Sequence, residues 1–545
     1  MKKSIKILSA VLSVCLTIFS LPSCNIPTDK SKKEPNPFLS FTLSPVDVKQ
    51  VRSKLEECKK ATLEGYNPRK IERLWEEYAR LLEHVETQER VATISYYANM
   101  NSSVAKSNNS YASNAYSTLH SEYLLAVQEI YRSDSPYRDE FFSDWSEEDI
   151  RFMLADFEEL KRLNESSRTL IDEYYELSKR QLEEKIDGLY TKVISVNNAI
   201  AKEYGYPNYY EYAHDNVYRR DYDLQQTENF RNNVAEYLVP ALFESQKDFY
   251  TAQSELSMND LQFCNDFFSK NYKNLAQDYL AEYIENSPDP MKHAFSDALD
   301  SKAVLFATSS SAFEGAFCTY LPEYGTPFCY FGPGYQTGLS VVHELGHYYA
   351  ALHQDLAEQS FDLAETQSQS NEWFFIGYLQ NRLPKQTARA LTAMQTYTAL
   401  ANIVTSTLVD DFEYTVYTRQ AELLTSDPQT ENVIPDFDKI FEEVCQEYGG
   451  IEKLSKILDL QGYWKQVVVA NPVYYISYAV SGLASINLYQ KAIINKEDAL
   501  TSYIYLVEEA EPSNFLLSLS AANITSPFDN ASFIPYGYQP ITPKN

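Results

Sequence analysis

His343-Glu344-Leu345-Gly346-His347 is the stretch of the chain that predicts most about its fold. Two histidines four residues apart lie on one face of a helix, about 5–6 Å apart at Cβ. Both imidazoles can therefore reach one tetrahedral zinc ion, and Glu344 lies on the adjoining flank, where it can hold a water at the metal. The chain has seven histidines in 545 residues, which makes a chance pair in this arrangement less plausible. The stretch predicts a helix that binds one zinc ion per chain.

A catalytic zinc site usually has three protein ligands and one open position for water. Glu365 is the predicted third ligand, because it follows His347 in a helix-compatible segment after a loop long enough to bring a second helix alongside the first. Glu372 lies two helical turns further on the same face, and we expect it to be a hydrogen-bond partner of the ligands or an alternative ligand. Ser368 and Gln369 are also close enough in helical register to hydrogen-bond the ligands.

A third histidine, His353, gives with the first two the spacing of the metzincin proteases. That arrangement needs the helix to break at a glycine three residues after the second histidine, and here Ala350 occupies that position. On an unbroken helix, His353 is rotated by about 240° from His347. We therefore expect His353 at the surface or behind the ligands.

The composition favours a mostly helical protein. Only 15 residues are glycine, whereas leucine, glutamate, alanine and lysine are plentiful, and these are good helix formers. The formal net charge of −29 argues against a nucleic-acid partner, since neutralising phosphates needs clustered lysine and arginine.

The texture of the sequence changes at residues 312–340, just before the histidine pair. Six of the fifteen glycines lie between Gly315 and Gly346, and aromatic and β-branched residues alternate around turn signals. This pattern predicts a small sheet of two or three short strands. Such strands either offer a free edge on which an extended peptide can pair or form an ordinary supporting hairpin.

The N-terminus has the features of an export signal. Lysines 2, 3 and 6 precede an apolar run from Ile7 to Leu21, which is short for a membrane span, and a small residue precedes Cys24. Leu21-Pro22-Ser23-Cys24 resembles the lipobox of bacterial lipoproteins, although ordinary secretory cleavage remains an alternative. We predict a signal peptide at residues 1–23, lipidation of Cys24 and a flexible tether at 24–40. The protein is then exported and anchored to the outer face of the bacterial cell membrane through this lipid alone.

The mature chain would keep five further cysteines, at positions 58, 264, 318, 329 and 445. An odd number at wide spacing is not a disulfide framework, so most are expected to be buried thiols. Cys318 and Cys329 are close enough in sequence to bridge a short hairpin, and an exported protein permits disulfides.

Several segments together resemble the zinc oligopeptidases of the thimet oligopeptidase and oligoendopeptidase F type. The resemblance covers roughly residues 140–520. Its segments occur in the family's order, and they are Ala201–Tyr212, Arg220–Tyr222, Phe230-Arg231, Val239-Pro240, the histidine stretch with the strands before it, Glu365–Glu372 and Tyr474–Ala479. The motifs are specific in combination and weak singly.

This resemblance implies a mainly α-helical, two-lobed metallopeptidase with a deep central channel that admits short peptides. We place an N-terminal helical region at residues 41–220 and the catalytic domain at 221–545. The implied metal ligands are His343, His347 and Glu365, and Glu344 is the implied general base, which takes a proton from the water at the zinc.

Two tyrosines match family residues that donate hydrogen bonds to the tetrahedral oxyanion, namely Tyr475 and Tyr478. Independently of the family, Asn471-Pro472 is a good helix start, and positions 475 and 478 share one helical face.

The chain departs from the family at one position. The family has a histidine about ten residues before the second tyrosine, where this chain has Val468, with Gln466 as the nearest substitute donor. Two functions are therefore kept: a zinc-dependent metalloendopeptidase of short peptides, and a peptide-binding lipoprotein on the same fold with weak or no catalysis.

Overall fold

A computed structural model describes residues 43–143, 155–300, 303–354, 359–419 and 434–537. The predicted signal peptide, Cys24 and the tether to residue 40 lie outside these residues, so they stay predictions. None of the described helices combines the length and the apolar character that crossing a membrane requires.

Helices dominate the described chain, as the composition predicts. Ahead of the sheet lie α1 (Val48–Leu63), α2 (Pro68–Ala98), α3 (Ser103–Tyr131), α4 (Arg138–Phe141), α5 (Phe157–Glu176), α6 (Lys179–Glu203), α7 (Tyr209–Tyr212), α8 (Leu224–Asn233), α9 (Val239–Ser254), α10 (Met258–Phe267), α11 (Tyr272–Leu275), α12 (Gln277–Glu285) and α13 (Asp289–Asp300). After the sheet lie α14 (Gly338–His353), α15 (Phe361–Leu379), α16 (Lys385–Thr418), α17 (Phe437–Glu447), α18 (Ile451–Leu454), α19 (Trp464–Val467), α20 (Ile476–Ile494), α21 (Lys496–Glu508) and α22 (Phe515–Ala521).

Short helical segments of other types are also present among the described residues. Ala213–Val217 and Val234–Leu238 are π-helical, while Pro322–Tyr324, Pro333–Tyr335 and Asn530–Tyr536 are 3₁₀-helical.

The chain divides into two compact units. The first comprises Met1–Ser166, Glu203–Gly205 and Asp297–Tyr335, and the second comprises Ser167–Lys202, Tyr206–Ser296 and Gln336–Asn545. Each unit is assembled from several segments, so the boundary between the units is not a single position in the sequence. The division predicted at residue 220 and the predicted channel stay predictions.

In the first unit, α1, α2 and α3 pack around an aromatic core. Trp75, Tyr78 and Tyr123 are buried at its centre, and their rings meet edge-on or stacked at centroid distances of 5.8–6.3 Å. The indole N–H of Trp75 donates to Thr62 Oγ1 at 3.1 Å, so this buried polar group is satisfied.

The predicted small sheet is present and has three strands. They are β1 (Val304–Phe306), β2 (Ala316–Leu321) and β3 (Thr326–Phe331), in the order β1-β3-β2. β3 pairs in parallel with β1 and antiparallel with β2. β2 and β3 fall in the predicted range of residues 312–340. β1 precedes that range and was not predicted, because three residues are too few to show an alternating pattern.

Both β1 and β2 are edge strands, since β3 lies between them. The outward carbonyl of Tyr320 on β2 accepts a hydrogen bond from Arg90 of α2, so part of that edge is already used. The Tyr330 hydroxyl donates to the Tyr97 carbonyl at 2.9 Å and so ties the sheet to α2. Pairing of a peptide on a free edge stays a prediction.

The register places Cys318 directly opposite Cys329. The Cys329 N–H donates to Ala303, beside β1, so the two cysteines form a non-hydrogen-bonded pair whose side chains share one face. The Cα atoms of such a pair are about 4.5 Å apart, within the range of about 4.4–6.8 Å that disulfides use. Both are thiols in the structure.

We expect oxidised glutathione to join Cys318 and Cys329 in the folded protein, which should then be two hydrogen atoms lighter by intact mass. The bridge should raise the melting temperature, since a short closed loop typically adds about 3 kcal/mol to the free energy of unfolding. Cys318→Ser should abolish the mass change, whereas Cys445→Ser should retain it. An unchanged mass after prolonged oxidation would contradict the prediction.

In the second unit, α14, α15, α16 and α20 form the centre, with α15 packed against both α14 and α20. Gly346 lets α14 and α15 approach closely, because a Cβ there would lie 2.8 Å from Ser368 Cα and 3.2 Å from the Gln367 carbonyl oxygen. This contact brings the histidine helix against the helix that carries Glu365.

Candidate metal centre

The histidine pair lies in the middle of α14. Thr337 caps the helix by accepting a hydrogen bond from the Ser340 N–H at 3.2 Å, so the helix begins one and a half turns before His343. His343 and His347 project from the same face, and their ring centroids are 4.9 Å apart. Glu344, between them in sequence, is 4% exposed.

Helix α15 brings Glu365 to the two histidines. Glu365 Oε2 is 3.6 Å from His343 Nε2 and 3.9 Å from His347 Nε2, and the three donor atoms all lie within 4.8 Å of one another. Bonds of about 2.0–2.1 Å in a tetrahedron separate its corners by about 3.3 Å. Small closing movements therefore suffice for this donor set to hold a zinc ion.

His353, at the end of α14, lies elsewhere. Its Nε2 is 3.6 Å from Glu508 Oε1, and its ring lies against that of Tyr349, with centroids 5.2 Å apart. It is not among the donors that the structure groups as a possible metal site within the described residues.

Glu372 bonds the outer nitrogen of His343. Its Oε1 is 2.7 Å from His343 Nδ1, and Gln395 Nε2 donates to its other oxygen at 3.0 Å. The structure thus places Glu372 beside the outer nitrogen of His343 and leaves Nε2 of that ring facing Glu365. Of the two roles that the sequence left open for Glu372, this position suits a hydrogen-bond partner. Ser368 Oγ donates to Glu365 Oε2 at 3.3 Å, whereas Gln369 Nε2 donates away from the ligands, to Ser481 Oγ.

The tyrosine that hydrogen-bonds Glu365 is one that sequence reasoning did not single out. The Tyr474 hydroxyl donates to Glu365 Oε1 at 3.0 Å, and its ring centroid is 5.0 Å from that of Tyr478. Tyr475 forms the N-cap position of α20, with its ring 5.9 Å from that of Tyr478. The sequence could have pointed to Tyr474, because positions 474 and 478 are four residues apart. That spacing matches one helical turn as well as the three-residue spacing of positions 475 and 478 does.

The position of the family histidine holds a core residue. Val468 directly follows α19 and is completely buried, whereas Gln466 is exposed. An apolar side chain therefore occupies the position at which the sequence resemblance implies a histidine.

Buried carboxyl groups are concentrated at this site. Burial is the main cause that raises the pKa of Glu344 to about 8, while the charge of His343 opposes the rise and Glu365 adds to it. Burial also raises the pKa of Glu365, against the opposing effects of His343 and Tyr474. A cation bound among these groups would favour their ionised forms and lower both pKa values.

The two histidines differ in their surroundings. Burial acts to lower the pKa of His343, but the hydrogen bond and the charge of Glu372, together with the charges of Glu365 and Glu344, outweigh it and raise the pKa to about 10. Burial and the charge of His343 hold the pKa of His347 well below its usual range. The outer carboxylate therefore makes the His343 ring more basic, which strengthens it as a ligand.

Solved structures with similar folds cover nearly the whole chain. A protein assigned as oligoendopeptidase F matches at a TM-score of 0.70 and 16% identity, over 92% of this chain and 97% of its own. PZ peptidase A in complex with an inhibitor matches at 0.68 and 16%, over 91% and 96%. Oligoendopeptidase F from Enterococcus faecium matches at 0.53 and 13%, over 90% and 95%. The chain has the oligoendopeptidase F fold.

At these identities the likeness to oligoendopeptidase F concerns the fold. Comparison with protein-family models and with curated protein sequences gives no match.

Replacing Glu372 by glutamine should weaken zinc binding by about 10- to 100-fold, the usual effect of losing a carboxylate that orients a metal-bound histidine. The fold should persist, because glutamine can still accept one hydrogen bond. Competition with a fluorescent chelator measures the affinity. Glu508→Gln is the matched control, since Glu508 stands beside His353 as Glu372 stands beside His343. Equal effects of the two substitutions would contradict the prediction.

Proposed function

We propose that this protein is a zinc-dependent endopeptidase that hydrolyses short peptides. The observation that carries the proposal is the convergence of His343, His347 and Glu365, whose donor atoms lie within 4.8 Å of one another, with the buried Glu344 on the same helix. The fold supports it, because solved structures that share the fold are named as peptidases.

Two imidazoles and one carboxylate are a typical donor set for catalytic zinc, with the fourth position left open. When bound, zinc supplies positive charge that polarises the scissile carbonyl and acidifies water. The ion would be held by His343, His347 and Glu365. Glu372 would fix the His343 ring, and Ser368 would fix the Glu365 carboxylate.

Glu344 is proposed as the general base. Its carboxylate takes a proton from the attacking water and delivers it to the leaving nitrogen, so that one group serves both proton transfers. The pKa raised to about 8 by burial suits such an exchange near neutral pH.

Tyr478 is proposed to donate a hydrogen bond to the oxygen that becomes negative in the transition state. The Tyr474 hydroxyl, whose one proton is bonded to Glu365, is proposed to hold that carboxylate in place. Burial, together with the charge of Glu365, raises the pKa of Tyr474 and that of Tyr478 well above the usual range. Both hydroxyls therefore keep their protons at neutral pH and can act as donors.

Tyr474→Phe should lower kcat by about 10- to 100-fold, the usual effect of losing a group that hydrogen-bonds a metal ligand. Tyr475→Phe should lower kcat less, because the hydrogen bond from Tyr474 to the proposed ligand Glu365 is then kept. Steady-state kinetics on one quenched peptide compares the two variants directly. A larger loss in Tyr475→Phe would favour the tyrosine that the family resemblance implies.

The proposal is tested with a library of quenched short peptides blocked at both ends, incubated with the chain from residue 24 onwards. We expect cleavage that a chelator stops and that added zinc restores. A folded protein that contains the same peptide sequences should stay intact. Cleavage of blocked peptides establishes internal cutting, since trimming of free ends is then impossible.

The alternative is a peptide-binding protein on the same fold. The buried Val468 favours it, because a donor that assists the transition state in the family is absent at that position. Stoichiometric zinc and measurable peptide affinity without cleavage of any peptide would establish this alternative.

A further inference from the structure

The backbone just before Tyr474 has an unusual conformation. The Tyr474 N–H donates to the Asn471 carbonyl at 3.3 Å, Pro472 follows Asn471, and Val473 has a φ of 64°. Proline followed by a residue with positive φ is the pattern of a type II turn, which calls for glycine or asparagine at the third position. A β-branched residue there is a genuine conformational outlier.

Side chains distant in sequence hold both peptide groups of Val473. Its N–H donates to Glu413 Oε1 at 2.9 Å, and its carbonyl accepts from an Arg220 terminal nitrogen at 2.7 Å. Val473 and Glu413 are completely buried, and Arg220 is 6% exposed. The preceding carbonyl, that of Pro472, accepts from the Tyr218 hydroxyl at 2.7 Å.

Arg220 also reaches the first turn of α20. The same nitrogen that bonds Val473 is 3.2 Å from Ser477 Oγ, and Ser477 directly precedes Tyr478. These two hydrogen bonds of Arg220 therefore fall on the residues immediately before both tyrosines of the proposed site.

This arrangement is costly for the fold. Burying a guanidinium and a carboxyl group is unfavourable unless each is hydrogen-bonded, and a valine with positive φ adds strain. A glycine at position 473 would form the same turn without strain. Strained residues persist where the surrounding structure holds them, and they cluster at functional sites.

We propose that Glu413 and Arg220 are positioning residues, which hold Val473 in its left-handed conformation and thereby aim the Tyr474 hydroxyl at Glu365. This inference rests on the proposed function, in which Glu365 binds the metal and Tyr474 serves as a hydrogen-bond donor. Neither Glu413 nor Arg220 needs to touch substrate, since each acts through the turn.

The main test is a double-mutant cycle on kcat. Glu413→Ala removes the acceptor for the Val473 N–H and should lower kcat about 10- to 100-fold with KM nearly unchanged, since small misplacements of a catalytic group have effects of this size. In Glu413→Ala combined with Tyr474→Phe, the loss should be no greater than in Tyr474→Phe alone, because both substitutions remove the same hydrogen bond. Glu413→Gln restores an oxygen acceptor and should recover most of the rate.

A second readout does not depend on activity. In the Co²⁺-loaded protein, Glu413→Ala should shift the visible absorption bands in the same way as Tyr474→Phe, because both alter the surroundings of Glu365. Glu89→Ala is the matched control: Glu89 is a buried glutamate of the first unit that accepts from Thr93 and Ser113. This control should lower the melting temperature without changing kcat or the Co²⁺ bands.

The strain itself is tested by comparing Val473→Gly with Val473→Ala. Both remove the valine side chain, but only glycine accepts positive φ freely. Val473→Gly should therefore melt at the higher temperature, the reverse of the usual order, and should have the lower kcat because its turn is less constrained.

Additive losses in the double mutant, with the Co²⁺ bands of Glu413→Ala unchanged, would overturn the proposal and leave Glu413 a purely structural residue. An inactive wild type that still binds Co²⁺ would overturn the proposed peptidase function instead. In that case, the shift of the Co²⁺ bands in Glu413→Ala still decides whether the turn positions Tyr474.

Discussion

Replacing Glu344 by glutamine should lower kcat on a short quenched peptide by about 10³-fold, within the range that a positioned general base contributes. Glutamine has nearly the same shape but cannot accept the proton of the attacking water. KM should change little, because Glu344 acts on the proton rather than on peptide binding. The metal content should stay at one ion per chain, since Glu344 is not one of the three proposed donors, which are His343, His347 and Glu365.

The measurement combines steady-state kinetics with metal content and thermal unfolding. Because Glu344 is buried and its pKa is raised by burial, a neutral amide should be tolerated, and the melting temperature should not fall. Glu344→Asp retains a carboxylate but withdraws it by one carbon, so its rate should lie between those of the wild type and Glu344→Gln. A Glu344→Gln variant with more than a tenth of the wild-type kcat would exclude Glu344 as the base.

Replacing Glu365 by alanine should release the metal and reduce cleavage to background. This substitution removes one of three ligands, so the affinity should fall further than the about 10- to 100-fold expected when an outer partner such as Glu372 is lost. It also leaves the Tyr474 hydroxyl without the acceptor it has at 3.0 Å.

Chelator competition on Glu365→Ala, Glu372→Gln and Glu508→Gln should give decreasing losses of zinc affinity in that order. The order follows from position. Glu365 would bind the metal directly, Glu372 would act on it through His343, and Glu508, which lies beside His353, would have no effect on it. Retention of wild-type affinity in Glu365→Ala would mean that another residue is the third ligand, and the donor set would need revision.

The two helices that carry the proposed donors could be predicted because local patterns determine them. A spacing of four on a helix brings His343 and His347 together wherever that helix packs, and a long loop places Glu365 on the next helix. The structure agrees, with α14 and α15 in contact and the three donors close together. The role of Glu372 could not be chosen from spacing, because a side chain two turns away can face either the metal or the back of a ligand.

Tyr474 was missed for a different reason. Which tyrosine faces Glu365 depends on the turn at Val473, and nothing in a valine predicts a φ of 64°. That conformation is held by Glu413, 60 positions away, and by Arg220, 253 positions away. A register set by such distant contacts is invisible to helical periodicity. The strand β1 was missed because three residues carry no period.

The close packing at Gly346 has a consequence for the proposed metal site. The separation of α14 and α15 sets the distance between the proposed donors, because the two histidines lie on one helix and the carboxylate lies on the other. With a Cβ at position 346 only 2.8 Å from Ser368 Cα, any larger residue would push the helices apart and move Glu365 away from the histidine nitrogens. In the proposed function, Gly346→Ala should therefore weaken metal binding although position 346 supplies no ligand.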